Sequence, residues 1–349
     1  MNGRTTINLT MAKAILAVLL LGAGVQAFSQ EIRIAGELKY RADGKFKILQ
    51  LTDTHYISGN PRSERALDNV KLMLDEEKPD FVIHTGDIVF GSPADRSARE
   101  LLQPLVDRKI PFAVALGNHD SDFDLSRTEM YKTLRNIPGN VNTPDDQGMN
   151  GCSNDILTLS GPDGIDRVFY LIDSGNRDYP GGTKVWGYVH SDQIEWYRHA
   201  SKALAARNGG KAVPAIVFQH IPVPEFNQAL RDSGKGARYL VGNIGEEPAS
   251  PKLNSGEFLA MREIGDVQAM VCGHDHNNDF VMLWQGFYFI YGRFSGCSTV
   301  YNDLKPNGAR VFEFTSGDPG FRTWVRLSDG RIEQPMYLYP GRKNLSSGQ

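Results

Sequence analysis

Five short polar clusters each follow an apolar run of this chain, and together they hold five of its eight histidines. The clusters are Asp53-Thr54-His55, Gly86-Asp87, Gly117-Asn118-His119-Asp120, His220 and Gly273-His274-Asp275-His276. Ligands of open α/β sheets collect beyond the carboxyl ends of the strands, so we expect these side chains to converge. Carboxylate, amide and imidazole groups are the ligands of paired cations that assist hydrolysis. The sequence therefore predicts a dinuclear metal centre built from strand ends.

Apolar runs alternate with helical patterns along the chain, which is typical of an α/β protein. Strands are predicted at residues 46–51, 81–84, 111–116, 155–159, 168–173, 215–218 and 267–271, with mostly strands after residue 280. Because the clusters extend from residue 53 to residue 276 and are expected to share one site, they cannot belong to two independent domains. We predict one domain over residues 30–349 with two packed sheets.

Local signals place several turns and helix ends. A turn at residues 42–44 is expected to join the strand at 46–51 to a partner strand near 38–40. Ser126 and Glu129 form a capping box, and a helix is predicted from Ser191 to just before Gly209. Ser92-Pro93 reads as an N-cap followed by proline at the first helical position.

The first 29 residues have the pattern of a secretory signal peptide. Arg4 and Lys13 precede an apolar stretch at 14–25, and the small residues that follow fit a cleavage site. The stretch is too short for a comfortable membrane span, although an uncleaved anchor is the alternative. We therefore expect an exported protein, periplasmic or extracellular, without a stable membrane span.

Charge and composition exclude some partners. The chain has 40% apolar and 23% charged residues and a formal net charge of -3, and removal of residues 1–29 takes away two positive charges and leaves -5. A negative chain without a basic stripe is not expected to bind nucleic acid.

The three cysteines cannot all pair with one another. Cys272 lies in an apolar run, so it is expected to be a small buried hydrophobe and not a catalytic thiol. A disulfide of Cys297 with either Cys152 or Cys272 remains open at this stage.

The sequence leaves open whether three further polar residues belong to the site or are structural. His84 precedes Gly86-Asp87 inside a predicted strand, and we expect a packed core residue. Glu225 could reach the site from the segment after His220. Arg293 could clamp a phosphate, but a structural salt bridge is the favoured expectation.

The order of the clusters resembles the calcineurin-like metallophosphoesterase superfamily, whose pattern is D-x-H, G-D, G-N-H-[DE], H, G-H-x-H. The resemblance extends from residue 49 to at least residue 278. Residues 218–222 and 273–280 look most similar to the branch of purple-acid-phosphatase-related and Dcr2-like phosphoesterases. The fold that this resemblance implies is a four-layer α/β/β/α sandwich.

The resemblance also implies a ligand for each position of two metal sites. One metal would be held by Asp53, His55 and His276, and the other by Asn118, His220 and His274, with Asp87 bridging the two. A hydroxide that bridges the metals would attack phosphorus. His119 would protonate the leaving oxygen or stabilise charge on the phosphoryl group, and Asp120 would orient the His119 ring.

One position departs from the purple acid phosphatases that the chain resembles. Those enzymes carry a tyrosine three residues after the bridging aspartate, and its phenolate gives the colour. Phe90 occupies that position here and cannot ligate a metal. We expect a colourless centre with two divalent ions, which the ligand set allows to be Mn, Zn or Fe.

The expected substrate is a small phosphorylated molecule. Two carboxylate ligands against two divalent cations leave a net charge of about +2, which complements a phosphate ester. Hydrolysis of monoesters and of diesters requires the same centre and is not separated by the sequence. The alternative is a catalytically inactive metal- or phospho-ligand-binding protein, for which His119 beside the ligands would have no purpose.

Overall fold

Two large β-sheets and six α-helices make up the described part of the fold in a computed structural model, which describes residues 32–145 and 148–340. The strands are β1 Gly36–Lys39, β2 Lys45–Leu51, β3 Phe81–His84, β4 Phe112–Val114, β5 Asp155–Gly161, β6 Gly164–Leu171, β7 Arg177–Asp178, β8 Val185–Trp186, β9 Ala215–Phe218, β10 Ala237–Val241, β11 Val267–Cys272, β12 Val281–Trp284, β13 Phe287–Tyr291, β14 Gly308–Thr315, β15 Phe321–Leu327 and β16 Ile332–Leu338. The helices are α1 Pro61–Glu77, α2 Ala94–Arg108, α3 Arg127–Arg135, α4 Ser191–Arg207, α5 Glu225–Arg231 and α6 Glu257–Ile264.

The strands form two stacked sheets and one short hairpin. The eight-stranded sheet has the order β1-β5-β6-β9-β11-β13-β12-β10, and the six-stranded sheet has the order β16-β15-β14-β2-β3-β4. Strands β2, β3 and β4 are parallel, as are β6, β9 and β11. Strands β7 and β8 pair only with each other among the described residues.

Alternating side chains of the central strands explain the layers. Ile48 of β2 packs between the sheets with Phe169 and Phe218 of the other sheet. Leu49, one residue further, points to the opposite face and packs with Val70 of α1, as the period of two in a strand requires.

The outer face of the eight-stranded sheet is covered by α4, α5 and α6, whereas α2 and α3 pack with α1 against the six-stranded sheet. The ring of Tyr197 in α4 lies 5.1 Å from that of Tyr170, and Phe226 of α5 lies 4.8 Å from Phe289. Phe258 of α6 lies 5.2 Å from Phe287. The four-layer α/β/β/α arrangement that the family resemblance implied is confirmed.

Two of the three predictions for helix starts were confirmed, and the third was wrong by one position. Ser126 caps α3 with the reciprocal bond from Glu129, and α4 begins at Ser191 as expected. Pro93 is the N-cap of α2, and the helix begins at Ala94, so the proline is one position earlier than predicted.

The predicted pairing of the segment near residues 38–40 with the strand at 46–51 is wrong. The turn does form, since the Arg41 amide donates to the Lys45 carbonyl at 2.9 Å. However, β14 and β3 occupy both edges of β2, so β1 has no free edge there. β1 instead pairs in parallel with β5 at the edge of the other sheet.

Two predictions about the N-terminus are not addressed by these elements. The predicted signal peptide at residues 1–29 lies outside the described residues, and the domain start at residue 30 stays a prediction. Within residues 32–145 and 148–340, we find no helix with the length and apolar character that crossing a bilayer requires.

Candidate metal centre

All five polar clusters lie in loops that follow parallel strands. Asp53 and His55 follow β2, and Asp87 follows β3. The loop after β4 carries Asn118 and His119, the loop after β9 carries His220, and the loop after β11 carries His274 and His276. Both sheets therefore contribute to one site at the carboxyl ends of their strands, as expected for α/β folds.

The structure brings the seven predicted ligands together in two adjacent groups. Potential ligand atoms of Asp53, His55 and His276 lie within 4.8 Å of one another, and so do those of Asp87, His220 and His274. The Asn118 Oδ1 lies 3.1 Å from the His220 Nε2 and so belongs with the second group.

Asp87 connects the two groups. Its Oδ2 lies 3.2 Å from the His220 Nε2 in its own group and 3.6 Å from the His55 Nε2 in the other. Its Oδ1 accepts a hydrogen bond from the His119 amide at 2.8 Å. A carboxylate in this position has one oxygen available to both groups.

Four of these residues have backbone conformations that side-chain-bearing residues seldom adopt. The φ angles are 54° at Asp53, 44° at His55, 54° at Asp87 and 77° at His274. Such conformations cost about 1–3 kcal/mol each and persist where surrounding bonds fix them. The Asp53 and His55 amides donate to the Gly86 and Asp87 carbonyls, both at 3.0 Å, which ties the first two loops together.

Glycine is required where the site loops meet. A Cβ on Gly117 would overlap the Asp87 carboxylate, and a Cβ on Gly273 would overlap the Thr52 hydroxyl. The two glycines therefore permit the close approach of loops from different strands.

The nitrogen atoms of the histidines are oriented for ligation. The Nδ1 of His220 contacts the Thr85 carbonyl at 2.7 Å, and the Nδ1 of His276 contacts the Tyr301 carbonyl at 2.8 Å. A carbonyl accepts, so each Nδ1 carries the hydrogen and each Nε2 faces the cluster, the arrangement found in metal-binding histidines.

Buried polar atoms at the site have no partner within the described part of the chain. They include the Nε2 of His274 and the Nδ2 of Asn118. In addition, the His276 Nε2, whose ring carries its hydrogen on Nδ1, lies 3.1 Å from the His55 Nε2 and is an acceptor that can bind a cation. Together with two carboxylates and an amide, these imidazoles form a donor set that fits borderline divalent cations.

The carboxylates at the site are held in the ionised form. Burial alone would raise the pKa of Asp53 and of Asp87, but the neighbouring His220 imidazole and other histidines outweigh it and hold each pKa below its usual range. Burial would likewise lower the pKa of His220, but the Asp87 and Asp53 carboxylates raise that pKa to about 9.

Two of the histidines are held neutral. Burial lowers the pKa of His55 to about 3 and that of His274 to about 3. His55 and His274 are therefore in the neutral form that binds a cation, whereas His220 would have to release its proton when a metal binds.

The structure corrects the contact predicted for Asp120. Its carboxylate does not touch the His119 ring and instead accepts hydrogen bonds from the amides of Asp87, Ile88 and Gly117 at 2.7–3.0 Å. The His119 Nδ1 lies 2.7 Å from the Asp122 Oδ2. The chain turns after His119, with the Asp122 amide donating to the His119 carbonyl, and this brings residue 122 beside the ring.

His119 stands at the rim of the two groups. Its side chain is 26% exposed, and its ring lies 5.5 Å from the His55 ring. Phe90 packs edge-on against both rings at 5.0 Å, so the position that would carry a tyrosine in purple acid phosphatases presents an apolar ring.

Three polar residues near the site form contacts outside the two ligand groups. His84 is buried and bonded to the Thr54 hydroxyl at 3.0 Å, as expected of a core residue. Arg293 forms a buried salt bridge with Asp279, as expected. Glu225 accepts a hydrogen bond from Asn254, outside both ligand groups.

The disulfide question is also resolved. All three cysteines have free thiols in the structure, so neither pairing of Cys297 forms. Cys272 is fully buried at the end of β11, as expected for a small apolar residue.

Some residues at the site were missed by sequence reasoning. Trp186 lies edge-on to the His274 ring at 4.8 Å, Tyr301 stacks on the His276 ring at 4.4 Å, and Asp122 contacts His119. They lie in loops or in a two-residue strand, where no periodic pattern marks them, so only the proximity of Asp122 to His119 in sequence could have indicated a role.

Comparisons with known proteins agree with the geometry. The family model described as calcineurin-like phosphoesterase matches residues 46–278. The chain is 29% identical to "Probable inactive purple acid phosphatase 14" of Arabidopsis thaliana, over 86% of this chain and 79% of the relative. It is 26% identical to "Phosphatase DCR2" of Saccharomyces cerevisiae, over 84% of this chain and 56% of the relative.

A solved structure resembles the fold. A dimetal phosphatase from Danio rerio has a TM-score of 0.58 and 14% identity, with 84% of this chain and 99% of that chain covered.

Proposed function

This chain belongs to the calcineurin-like phosphoesterase family, and on that premise we propose that it is a metal-dependent hydrolase of phosphate mono- or diesters. The observation that carries the proposal is the position of Asp87, whose Oδ2 lies within 3.6 Å of histidine nitrogens in both ligand groups. The bound ions would be Mn, Zn or Fe, because carboxylate, amide and imidazole ligands suit all three.

Seven side chains would hold the two ions. Asp53, His55 and His276 form one site, Asn118, His220 and His274 form the other, and Asp87 is shared. Two such ions supply charge that attracts an anionic substrate and a water activated near neutral pH. The ligands carry only two negative charges, so two divalent ions would leave a net charge of about +2 at the site.

His119 is the proposed proton donor to the leaving oxygen. Asp122 contacts the Nδ1 of His119, which leaves its Nε2 at the rim of the site. A carboxylate in this position fixes the orientation of the ring. The Asp120 carboxylate has a different purpose, since it holds the backbone that carries Asp87.

The alternative is a protein that binds metals or phosphorylated ligands without turnover. The name of the Arabidopsis relative favours it, because that protein is described as probably inactive. The His119–Asp122 pair favours hydrolysis, because neither residue belongs to the two ligand groups.

The His119→Ala variant separates the two functions. We expect metal content to stay unchanged and hydrolysis of p-nitrophenyl phosphate to fall by about 10²–10⁴-fold, the usual contribution of a general acid. A wild-type protein that retains metal and hydrolyses neither monoesters nor diesters would favour the binding protein.

Two further proposals concern the whole chain. We propose that residues 1–29 direct export to the periplasm or the outside of the cell, and that residues 30–349 form one domain acting on a small phosphorylated substrate. Amino-terminal sequencing of protein recovered from cell fractions tests the export, with a start near residue 30 expected. Full-length protein in the cytoplasmic fraction would contradict it.

A further inference from the structure

The β7–β8 hairpin carries an arginine next to the candidate metal centre. Arg177 and Trp186 are paired across the hairpin, and the Arg177 guanidinium lies 5.0 Å from the centre of the Trp186 ring. The same tryptophan contacts the His274 ring edge-on at 4.8 Å. A guanidinium that stacks on tryptophan is restrained while its N–H groups stay available in the plane of the group.

A second contact connects Arg177 to Asp122, the residue that contacts the His119 ring. Its Nη1 lies 4.0 Å from the Asp122 Oδ2, the oxygen that contacts His119. Asn176 donates to the other oxygen of Asp122 at 3.2 Å. Arg177 is therefore connected through Trp186 to His274 of one ligand group and through Asp122 to His119 at the rim.

The donors of Arg177 are only loosely engaged by the residues that the structure describes. The recorded contacts are 3.4 Å to the Asn176 Oδ1 and 4.0 Å to Asp122, and 28% of the side chain is exposed. By contrast, Arg127 and Arg293 form salt bridges with the fully buried carboxylates of Asp173 and Asp279. Arg177 is therefore able to accept an anionic ligand without losing a buried salt bridge.

The charge of the substrate decides what such an arginine can do. A phosphate monoester carries close to two negative charges at neutral pH, since its second pKa is about 6, whereas a diester carries one. Two cations and one guanidinium fork complement a terminal phosphate with three unsubstituted oxygens, and the fork can bind two of them at once. A diester has one oxygen fewer for this contact and has a second organic group beside the phosphate.

We propose that Arg177 forms a phosphate-binding subsite that selects phosphomonoesters over diesters. The inference rests on the proposed function and goes further by naming the substrate class. Trp186 positions the guanidinium, and Asp122 keeps it beside His119.

Two substrates with the same leaving group test the subsite. The metal-loaded protein and its Arg177→Met variant are assayed at pH 8 with p-nitrophenyl phosphate and with bis-p-nitrophenyl phosphate. We expect kcat/KM for the monoester to fall at least about tenfold in the variant, because a hydrogen bond to a charged group is lost. The value for the diester should change less than about threefold. Arg177→Lys should recover part of the monoester activity, since it restores the charge without the fork.

A matched control is Arg198→Met. Arg198 lies on α4 with a side-chain exposure of 29%, contacts Glu195 and Glu263, and should leave both activities unchanged. Metal content and thermal unfolding are measured for every variant. If kcat/KM of Arg177→Met fell by the same factor for both substrates, or did not fall for either, the inference would be overturned.

Inorganic phosphate binding distinguishes this inference from the proposed function. If the wild type hydrolyses neither substrate, the proposed function fails, and titration calorimetry of the metal-loaded protein with inorganic phosphate still tests the subsite. We expect Arg177→Met to weaken phosphate binding at least about tenfold. Equal affinity in the two proteins, or no phosphate binding by the wild type, would reject the subsite independently of turnover.

Discussion

The exchange of Asp120 for asparagine tests how the metal-binding loops are held in place. The Asp120 side chain is almost fully buried, and its Oδ2 accepts from the amides of Asp87 and Gly117 at 3.0 and 2.8 Å. Its Oδ1 accepts from the amides of Ile88 and Val89 at 2.7 and 3.3 Å. An asparagine side chain keeps only one acceptor oxygen. In either orientation of the side chain, its NH2 group would therefore face two buried backbone N–H donors and leave them without an acceptor.

The hydrogen bonds of Asp120 give the expected loss of stability in the variant. Two buried N–H groups without acceptors cost about 1–3 kcal/mol each. Removal of the negative charge beside Asp87 offsets part of this loss, since the two carboxylates repel each other. We expect Asp120→Asn to lower the free energy of unfolding by about 2–4 kcal/mol and to weaken metal retention about 10–100-fold.

The assay compares Asp120→Asn with Asp122→Asn. Urea unfolding is followed in chelator at pH 7.5, so that bound metal adds no stability, and metal content is measured after reloading. Asp122 has a side-chain exposure of 30%, so its variant should unfold within about 1 kcal/mol of the wild type and keep its metal. Its turnover of p-nitrophenyl phosphate should fall about tenfold, because the His119 ring loses its anchor.

The opposite pattern would refute this reasoning. If Asp120→Asn kept its stability and metal but lost turnover, Asp120 would act on His119, as the sequence alone had suggested. The structural assignment of the two carboxylates would then be wrong.

Three further predictions concern other parts of the molecule. Burial and, to a smaller extent, the Glu225 carboxylate raise the pKa of Glu257 to about 8. Between pH 4.5 and 8 the folded protein therefore keeps a proton that the unfolded chain loses, and the free energy of unfolding should fall as the pH rises through this range. Glu257→Gln should remove up to about 5 kcal/mol of that fall, whereas Glu263→Gln, at an exposed position on the same helix, should not. Urea-derived stabilities of Glu257→Gln and wild type that change in parallel with pH would contradict this prediction. Iron-loaded protein should show no visible tyrosinate absorption, because Phe90 offers no ligand atom, and a purple band would disprove it. Thiol titration in denaturant without reductant should find three reactive groups per chain, and a count of one would indicate a disulfide.

The strand ends of the site could be predicted because their signals are local and strong. The strands β3 and β9 are buried along their whole length, so they appear in the sequence as short apolar runs followed at once by polar residues. Fold class and the order of the ligand clusters follow from that pattern. The capping box at Ser126 and Glu129 could be predicted for the same reason, since both partners lie within one turn.

The missed features depend on segments that are distant in sequence. The pairing of β1 could not be predicted, because it requires the knowledge that β14, more than 250 residues later, occupies the edge of β2. The choice between Asp120 and Asp122 depends on the turn after His119, and both residues are plausible partners by spacing. Arg177 and Trp186 lie on strands of two residues, which give no periodicity to recognise.

Metal stoichiometry tests the central claim most directly. The whole protein is loaded with Mn, Zn or Fe, passed over a desalting column and analysed for bound metal, together with the Asp87→Asn variant. Because Asp87 contacts both ligand groups, we predict about two ions per wild-type chain and at most one in the variant. A wild-type protein that retains no metal under any of these conditions would contradict the account.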